Sequence, residues 1–185
     1  MIAIETAGID TPIGRLRLAA HEGALVALHF GDRPDTLVRD LERRFGPCAV
    51  TDHPDPAGAV TRLRAYFAGD LRALDAIPAD PGGTPFQRKV WDELRRIPVG
   101  TTVSYSELAR RVGVPGTVRA VGTANGRNPV AVVIPCHRVI GADGSLTGYG
   151  GGLDRKQWLL AHEGAATPRG QGLLPIRQAS VRSAT

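Results

Sequence analysis

The segment Ile77-Pro-Ala-Asp-Pro-Gly-Gly83 constrains this chain more than any other, because two prolines and two glycines in seven residues can neither continue a helix nor sit inside a sheet. It reads as a linker. The apolar pattern changes across it, which divides the 185 residues into 1–80 and 81–164, each long enough for a core, with 165–185 beyond them.

Ahead of the linker, apolar and polar residues alternate in Ile13–Leu18 and again in Leu25–Phe30, with His21-Glu22-Gly23 between them, the pattern of a β-hairpin. Leu37, Leu41 and Phe45 recur every fourth residue, as do Leu63 and Phe67 behind Asp55-Pro56. Two amphipathic helices packed on a sheet account for that spacing, so residues 1–80 are expected to be α+β.

Behind the linker the pattern is mostly helical. Thr84-Pro-Phe-Gln87 supplies an N-cap, a proline at the first helical position and a glutamine at the third; Phe86, Val90, Leu94 and Ile97 follow at helical spacing until Pro98 and Gly100. Ser104-Tyr-Ser-Glu107 is a second capping box, opening a helix through Leu108, Ala109 and Val112 that Gly113 stops. After the turn Gly113-Val-Pro-Gly116 a further helix spans Thr117 to Asn125, completing a helix-turn-helix unit decorated by Arg110, Arg111, Arg119 and Arg127.

Val130-Ala-Val-Val-Ile134 is too short for a helix and rich in β-branched residues, and is expected to be a buried extended segment delivering Pro135-Cys-His-Arg138. Val139-Ile140, an Asp143-Gly144 turn and Leu146-Thr147 predict a small hairpin, followed by the loop Gly148-Tyr-Gly-Gly-Gly152. A last helix capped by Asp154, with Gln157 third in line, buries Trp158 and Leu159 or Leu160 and stops at Gly164. Residues 165–185 have the composition of a disordered tail.

The formal charge of +5 is unevenly spread: residues 1–80 carry 9 basic and 12 acidic side chains, residues 81–164 carry 11 and 6, and residues 165–185 carry 3 and none. The second half is therefore where a polyanion would bind, although arginine-rich composition can also reflect the source organism, since Lys89 and Lys156 are the only lysines. No apolar run approaches the roughly 20 residues that span a bilayer, and Met1-Ile-Ala-Ile-Glu5 lacks the features of a signal peptide. A cytoplasmic protein without a membrane partner is expected. Cys48 and Cys136 are too few for a disulfide framework and are expected to be free thiols.

Cys136 stands between a proline and a histidine, with arginine beyond, at the end of an apolar run. It is either an inert buried thiol or a nucleophile. A free thiol is only a few per cent ionised at neutral pH, so a nucleophile needs a base or cations nearby, and His137 and Arg138 are candidates. Neighbours in an extended segment point to opposite faces, so His137 would act through a water or a bend. Zinc is disfavoured, because no second cysteine lies two residues away and no histidine sits at helical spacing; Cys48 and His53 lack two further ligands. A helix-turn-helix alone would suit a transcription regulator, but a regulator has no need of a poised thiol about twenty residues from its basic second helix.

Several segments in order carry a family resemblance: Gly83-Thr-Pro-Phe-Gln87 with Val90-Trp91, Val103-Ser-Tyr-Ser-Glu-Leu-Ala109, Arg119-Ala-Val-Gly122, Asn128-Pro129, Ile134-Pro-Cys-His-Arg-Val139, Gly148-Tyr-Gly-Gly-Gly152 and Leu159-Leu-Ala-His-Glu-Gly164. With the weaker opening Thr11-Pro-Ile-Gly14, the chain resembles the O6-alkylguanine-DNA alkyltransferases, densely over 83–164 and thinly before. The resemblance implies a ribonuclease H-like α/β N-terminal domain and a mostly helical, winged-helix-like C-terminal domain with the helix-turn-helix. It implies direct, irreversible, stoichiometric transfer of an alkyl group from O6-alkylguanine in duplex DNA to an internal cysteine, with the base flipped out.

Residue by residue, the resemblance makes Cys136 the acceptor, His137 the base acting through a water, and Glu163 the group that orients and charge-balances that histidine. Tyr105 would turn the target phosphate and assist the departing guanine, and Arg119 would fill the gap left by the extruded nucleotide. Ala120 and Gly122 would allow close approach to the minor groove, where Thr117 and Val118 are bulkier than the alanines often found. Asn128 would tie the recognition helix to the acceptor segment, and Arg127 joins the DNA contacts. Tyr149, Gly150 and Val139 would line the pocket. No cofactor is expected, and the zinc site that some members of the family carry in the N-terminal domain is not visible in this sequence; the expected partner is duplex DNA containing O6-alkylguanine, with O4-alkylthymine left open, bound by a monomer. The alternatives are a helix-turn-helix regulator and a lesion-recognition protein without transfer; the latter branch of the family carries tryptophan at the acceptor position, where this chain has Cys136.

Overall fold

In the computed structural model, residues 1–31 and 34–165 are described. The expected hairpin is present as β2 (Gly14–His21) and β3 (Ala24–Phe30), antiparallel with Leu16 opposite Phe30 and Leu18 opposite Leu28. Its two-residue turn places Glu22 (φ 48°) and Gly23 (φ 76°) in the left-handed region, the backbone twist a tight hairpin requires. Two further strands extend the sheet. β1 (Ile2–Thr11) pairs antiparallel with β2, and the short edge strand β4 (Cys48–Asp52) pairs parallel with β1, giving the order β3-β2-β1-β4. Their alternation is interrupted by Ala7-Gly8 in β1 and exposed in β4, so neither is legible from periodicity.

Helix α1 (Pro34–Phe45) covers one face of the sheet, burying Leu37 and Leu41 against Ile4, Ala19, Val26 and Ala27. The opposite face, with Ile9, Leu16, Leu18 and Leu28, packs on Leu63 and Tyr66 of α2 (Ala59–Phe67) and continues into Val90, Trp91 and Leu94 of α3 (Pro85–Arg95). One apolar core therefore runs through both halves of the chain.

That continuity changes the picture of Ile77–Gly83, which is no free tether. Ile77 is buried, the Leu25 amide donates to Pro78 O (2.8 Å), the Asp80 amide donates to Leu25 O (3.0 Å), and Arg44 holds the Asp80 carboxylate (2.6 Å). Proline and glycine are tolerated because the segment runs along an edge, where few backbone donors need partners.

Thr84 caps α3 in a full capping box with Gln87, and Gly83 (φ 79°) is required beside it, since a Cβ there would stand 2.5 Å from the Trp91 ring. The indole N–H of Trp91 donates to Ala124 O (2.9 Å), joining α3 to α5 (Val118–Gly126). The second box is only half formed: Ser104 Oγ accepts the Glu107 amide at the start of α4 (Tyr105–Val112), but the Glu107 carboxylate binds Arg110 and Arg111 instead of turning back. Two guanidinium groups three and four residues on outcompete one amide.

Three expectations around Cys136 are corrected. Val130–Ile134 is buried but not extended: Val132 adopts a left-handed φ of 72°, and the Ile134 amide donates to Val130 O (2.9 Å) in a tight turn. The hairpin does not form, because β6 (Val139–Ile140) pairs in parallel with β5 (Val103–Ser104), and Leu146-Thr147 forms no strand. The last helix, α6 (Leu153–His162), has Gly152 as its N-cap and Asp154 inside its first turn; Leu159 and Leu160 are both buried while Trp158 is half-buried. The tail expected over 165–185 lies, beyond Ala165, outside the described residues. No helix of the described residues is long and apolar enough to cross a membrane.

Candidate active site and nucleic-acid interface

The turn after Val132 leads into a single 3-10 turn, Cys136–Arg138, in which the Arg138 amide donates to Pro135 O (3.0 Å). Side chains in such a turn are spaced roughly 120° apart, not 180° as in a strand. Cys136 accordingly lines a cavity while His137 and Arg138 both reach Glu163, the residue that closes α6.

Glu163 is 3% exposed and is the most heavily bonded carboxylate among the described residues. Its Oε1 accepts from Tyr66 Oη (2.8 Å), His137 Nε2 (2.9 Å) and Arg138 Nη2 (2.9 Å), and its Oε2 accepts from Arg138 Nε (2.8 Å). Burial alone would raise its pKa, but the hydrogen bonds from His137 and Arg138, with the Arg138 charge, override burial and hold it well below 4.5. Arg138 also donates to Ile97 O (2.6 Å), so its guanidinium is fixed.

His137 is fully buried, and burial is the main cause of its lowered pKa, which Glu163 only partly offsets. It is a neutral imidazole at neutral pH. Because a carboxylate can only accept, Nε2 carries the ring proton and Nδ1 carries the lone pair; Nδ1 is buried and has no hydrogen-bond partner within the protein.

Cys136 is a free thiol, 5% exposed, and burial pushes its pKa above 9.0 against the opposing pull of Asn128 and Lys156. The sulfur is therefore protonated at neutral pH and needs a base to become a nucleophile. Lys156 is the buried cation beside it: Nζ donates to Val139 O (2.6 Å) and Thr147 O (2.8 Å), and burial brings its pKa down to about 8.

The cavity in front of Cys136 has a volume of about 330 Å³, in the range of small-molecule sites. Asn128, Ala131, Tyr149, Gly150 and, from the sheet, Phe30 share its wall. Tyr149 packs edge-on against Phe30 (5.8 Å between centroids) and against His137 (6.5 Å). Arg155 ties this loop to the turn between β1 and β2 by donating to Ile13 O (2.6 Å) and Gly151 O (2.8 Å). A larger cavity of about 420 Å³, lined by Arg72, Arg95, Val133 and Pro135, is not lined by Cys136.

Tyr105, the first residue of α4, is half-buried with its hydroxyl donating to Thr147 O (3.3 Å), and burial raises its pKa. It links the helix-turn-helix to the cavity rim. Arg119, Ala120 and Thr123 on the exposed side of α5, with its C-cap Arg127, share a shallow depression of about 600 Å³ with Phe86 and Gln87. Gly122 points elsewhere: its missing side chain faces the Tyr105 ring, where a Cβ would be 3.6 Å away. Asn128 ends this region with Nδ2 donating to Ile134 O (2.8 Å) and Oδ1 accepting from the Val130 amide (3.0 Å), which shapes the turn before Cys136. Val139, expected in the pocket, is instead fully buried beside Val103 and does not line the cavity, because pairing in β6 turns it into the core.

Sequence reasoning missed Tyr66 and Lys156. Each lies on an apolar helix stripe, Tyr66 three residues after Leu63 and Lys156 three before Leu159, so only the polar atom at the tip could have drawn attention. Cys48 is half-buried with its thiol donating to Gly46 O (3.1 Å), and no group of three or more potential metal ligands occurs among the described residues.

Two family models match the chain: the ribonuclease-like domain of 6-O-methylguanine DNA methyltransferase over residues 6–81 and the DNA-binding domain of the same family over 85–165. A methylated-DNA--protein-cysteine methyltransferase of Mycolicibacterium paratuberculosis is 50% identical over 168 residues, 89% of this chain and 95% of its own. One from Shigella flexneri is 46% identical, covering 84% and 93%. Among solved structures, Mycobacterium tuberculosis OGT in complex with DNA superposes with a TM-score of 0.71 at 44% identity, over 88% of this chain and 93% of that one. With both halves matched and half of the aligned residues identical to those of a relative covered over 95% of its length, the chain belongs to the 6-O-methylguanine DNA methyltransferase family.

Proposed function

We propose that this protein repairs alkylated DNA by transferring the alkyl group from O6 of guanine to Sγ of Cys136, once per molecule. The observation that carries the reading is the arrangement behind the thiol: a neutral imidazole whose Nε2 is committed to Glu163 and whose Nδ1 lone pair has no protein partner. Nδ1 takes the thiol proton through one water, the imidazolium so formed is stabilised by Glu163, and the thiolate is stabilised by Lys156 and Asn128. The thiolate then displaces O6 from the saturated carbon. The C–O bond breaks as the C–S bond forms, the electron pair stays on the guanine, and a proton supplied from the Tyr105 side neutralises it. The thioether product has no carbonyl for water to attack, so no step regenerates the thiol.

A base inside the duplex cannot present O6 to a 5% exposed sulfur, so the damaged nucleotide rotates into the cavity at a cost of a few kcal/mol, less where pairing is already damaged. The exposed side of α5 contacts the duplex, with Arg119 entering the vacated space and Tyr149 and Gly150 flanking the flipped base. Phosphate contacts make the affinity salt-sensitive and largely independent of sequence. The protein acts in the cytoplasm, without a membrane partner.

The test is mass spectrometry of the intact protein and its peptides after mixing with a duplex holding one O6-methylguanine. One methyl on Cys136, saturating at one per chain, is the expected result, and Cys136→Ala takes up none while still binding the duplex. Folded wild-type protein that binds the lesion and gains no methyl overturns the reading in favour of lesion recognition.

A further inference from the structure

Two residues at the end of α6 meet one residue of α2 across the boundary between the matched domains. His162 Nε2 donates to the Tyr66 carbonyl (2.8 Å), and the Tyr66 hydroxyl returns a bond to Glu163 Oε1 (2.8 Å), at sequence separations of 96 and 97. The Tyr66 side chain is fully buried, packed edge-on against His162 (5.0 Å) and Phe67 (5.2 Å). A tyrosine needed only to fill space would not have to place its hydroxyl on the carboxylate that holds the base.

Resting on the transfer reading above, we propose that Tyr66 is a positioning residue through which the N-terminal domain sets the orientation of the Glu163–His137 pair and how tightly that pair holds a proton. Oε1 of Glu163 serves three donors, namely Tyr66, His137 and Arg138 Nη2. Each donor draws on the same oxygen charge, so each weakens the acceptor left for the others. Tyr66 thus keeps Glu163 from over-stabilising the imidazolium, and His137 stays neutral and able to accept the thiol proton. The other charged or titratable groups facing the pair are Arg138 from the acceptor turn, Lys156 from α6, Cys136 and Tyr149. None of them belongs to the N-terminal domain, which reaches the pair through Tyr66.

Tyr66→Phe removes the oxygen and keeps the ring. The His137 imidazole, followed by nitrogen-15 NMR in DNA-free protein, is expected to titrate about half a unit to one unit higher than in wild type. Single-turnover transfer should then be about three- to tenfold slower on the acidic limb of the pH profile and converge with wild type at higher pH. Phe67→Leu, a packing change next door, should lower thermal stability and leave both midpoints in place. Should Tyr66→Phe fail to fold, 3-fluorotyrosine placed at position 66 keeps the bond with a stronger donor and should move the midpoint downward. An unchanged His137 midpoint in either variant overturns the proposal. If the wild type transfers no methyl, the transfer reading fails by itself, while the NMR titration still decides the role of Tyr66.

Discussion

Arg138 grips Glu163 with two parallel hydrogen bonds, Nε to Oε2 at 2.8 Å and Nη2 to Oε1 at 2.9 Å, so the residue two places after Cys136 neutralises the carboxylate bonded to His137. A fork-to-fork pair of this kind fixes direction as well as charge. The Cys136–Arg138 turn and the end of α6 are thereby one unit, and His137, in the middle of that turn, receives an oriented carboxylate instead of a mobile one.

Breaking that unit should be costly. Arg138→Ala leaves a buried carboxylate with only His137 and Tyr66, and loss of one partner of a buried pair typically costs about 3–5 kcal/mol. Arg138→Lys keeps the charge but cannot bridge both oxygens and Ile97 O, and should lose about half as much. Urea unfolding of the two variants measures the ordering, and an Arg138→Ala protein as stable as wild type would remove the structural role given to the pair.

Acid sensitivity follows from the same site. The folded-state pKa values of His137 and Glu163 both lie below their ordinary values of 6.5 and 4.5, so the unfolded chain binds more protons as pH falls. Stability is present above those values and is lost on acidification, first below 6.5 through His137 and then below 4.5 through Glu163. Thermal melting temperatures recorded from pH 7 to pH 3 should fall throughout that range. Glu163→Gln should start lower at pH 7 and approach the wild-type curve below 4.5; parallel curves there would show that Glu163 is not an ionised, stabilised carboxylate.

Lys156 has a folded pKa of about 8 against 10.5 for an ordinary lysine. Between those values the unfolded chain holds the proton more tightly, so this group adds stability as pH rises through the window. Lys156→Met should lack that rise and, with Val139 O and Thr147 O left without their donor, should lose roughly 2–4 kcal/mol at pH 7. Transfer should slow about tenfold at pH 7, where the cation supports the thiolate, with a smaller difference above pH 8. A rate ratio independent of pH would limit Lys156 to tying the strand to the loop.

Arg119 is exposed on α5, away from the Cys136 cavity lining. Arg119→Ala should slow repair in duplex DNA by about tenfold or more, the order expected for losing support of an extruded base, and leave reaction with free O6-alkylguanine within about twofold of wild type. Equal losses on both substrates would reject a role in base extrusion. The comparison is single-turnover kinetics at fixed salt, since ionic strength alone changes duplex affinity.

The sequence by itself determined the elements whose signals are local. The β2–β3 hairpin, the full cap at Thr84 and the limits of α3, α4 and α5 follow from short-range backbone preferences that operate within a few residues. It also singled out Cys136, His137 and Glu163, through a motif and a resemblance. Tertiary structure alone decided what surrounds them. Val130–Ile134 composes well as a strand, yet Asn128 and the edge of β3 bind it into a turn, and the 3-10 geometry that follows sends His137 and Arg138 to one carboxylate. Tyr66 reaches Glu163 from 97 residues away, and Lys156 is buried because the carbonyls it binds lie on the strand and loop opposite α6. Local preference acts over one turn of chain. The hydrogen bonds around Glu163 and Lys156 link residues far apart in sequence, and burial and Coulomb interactions depend on distance in space.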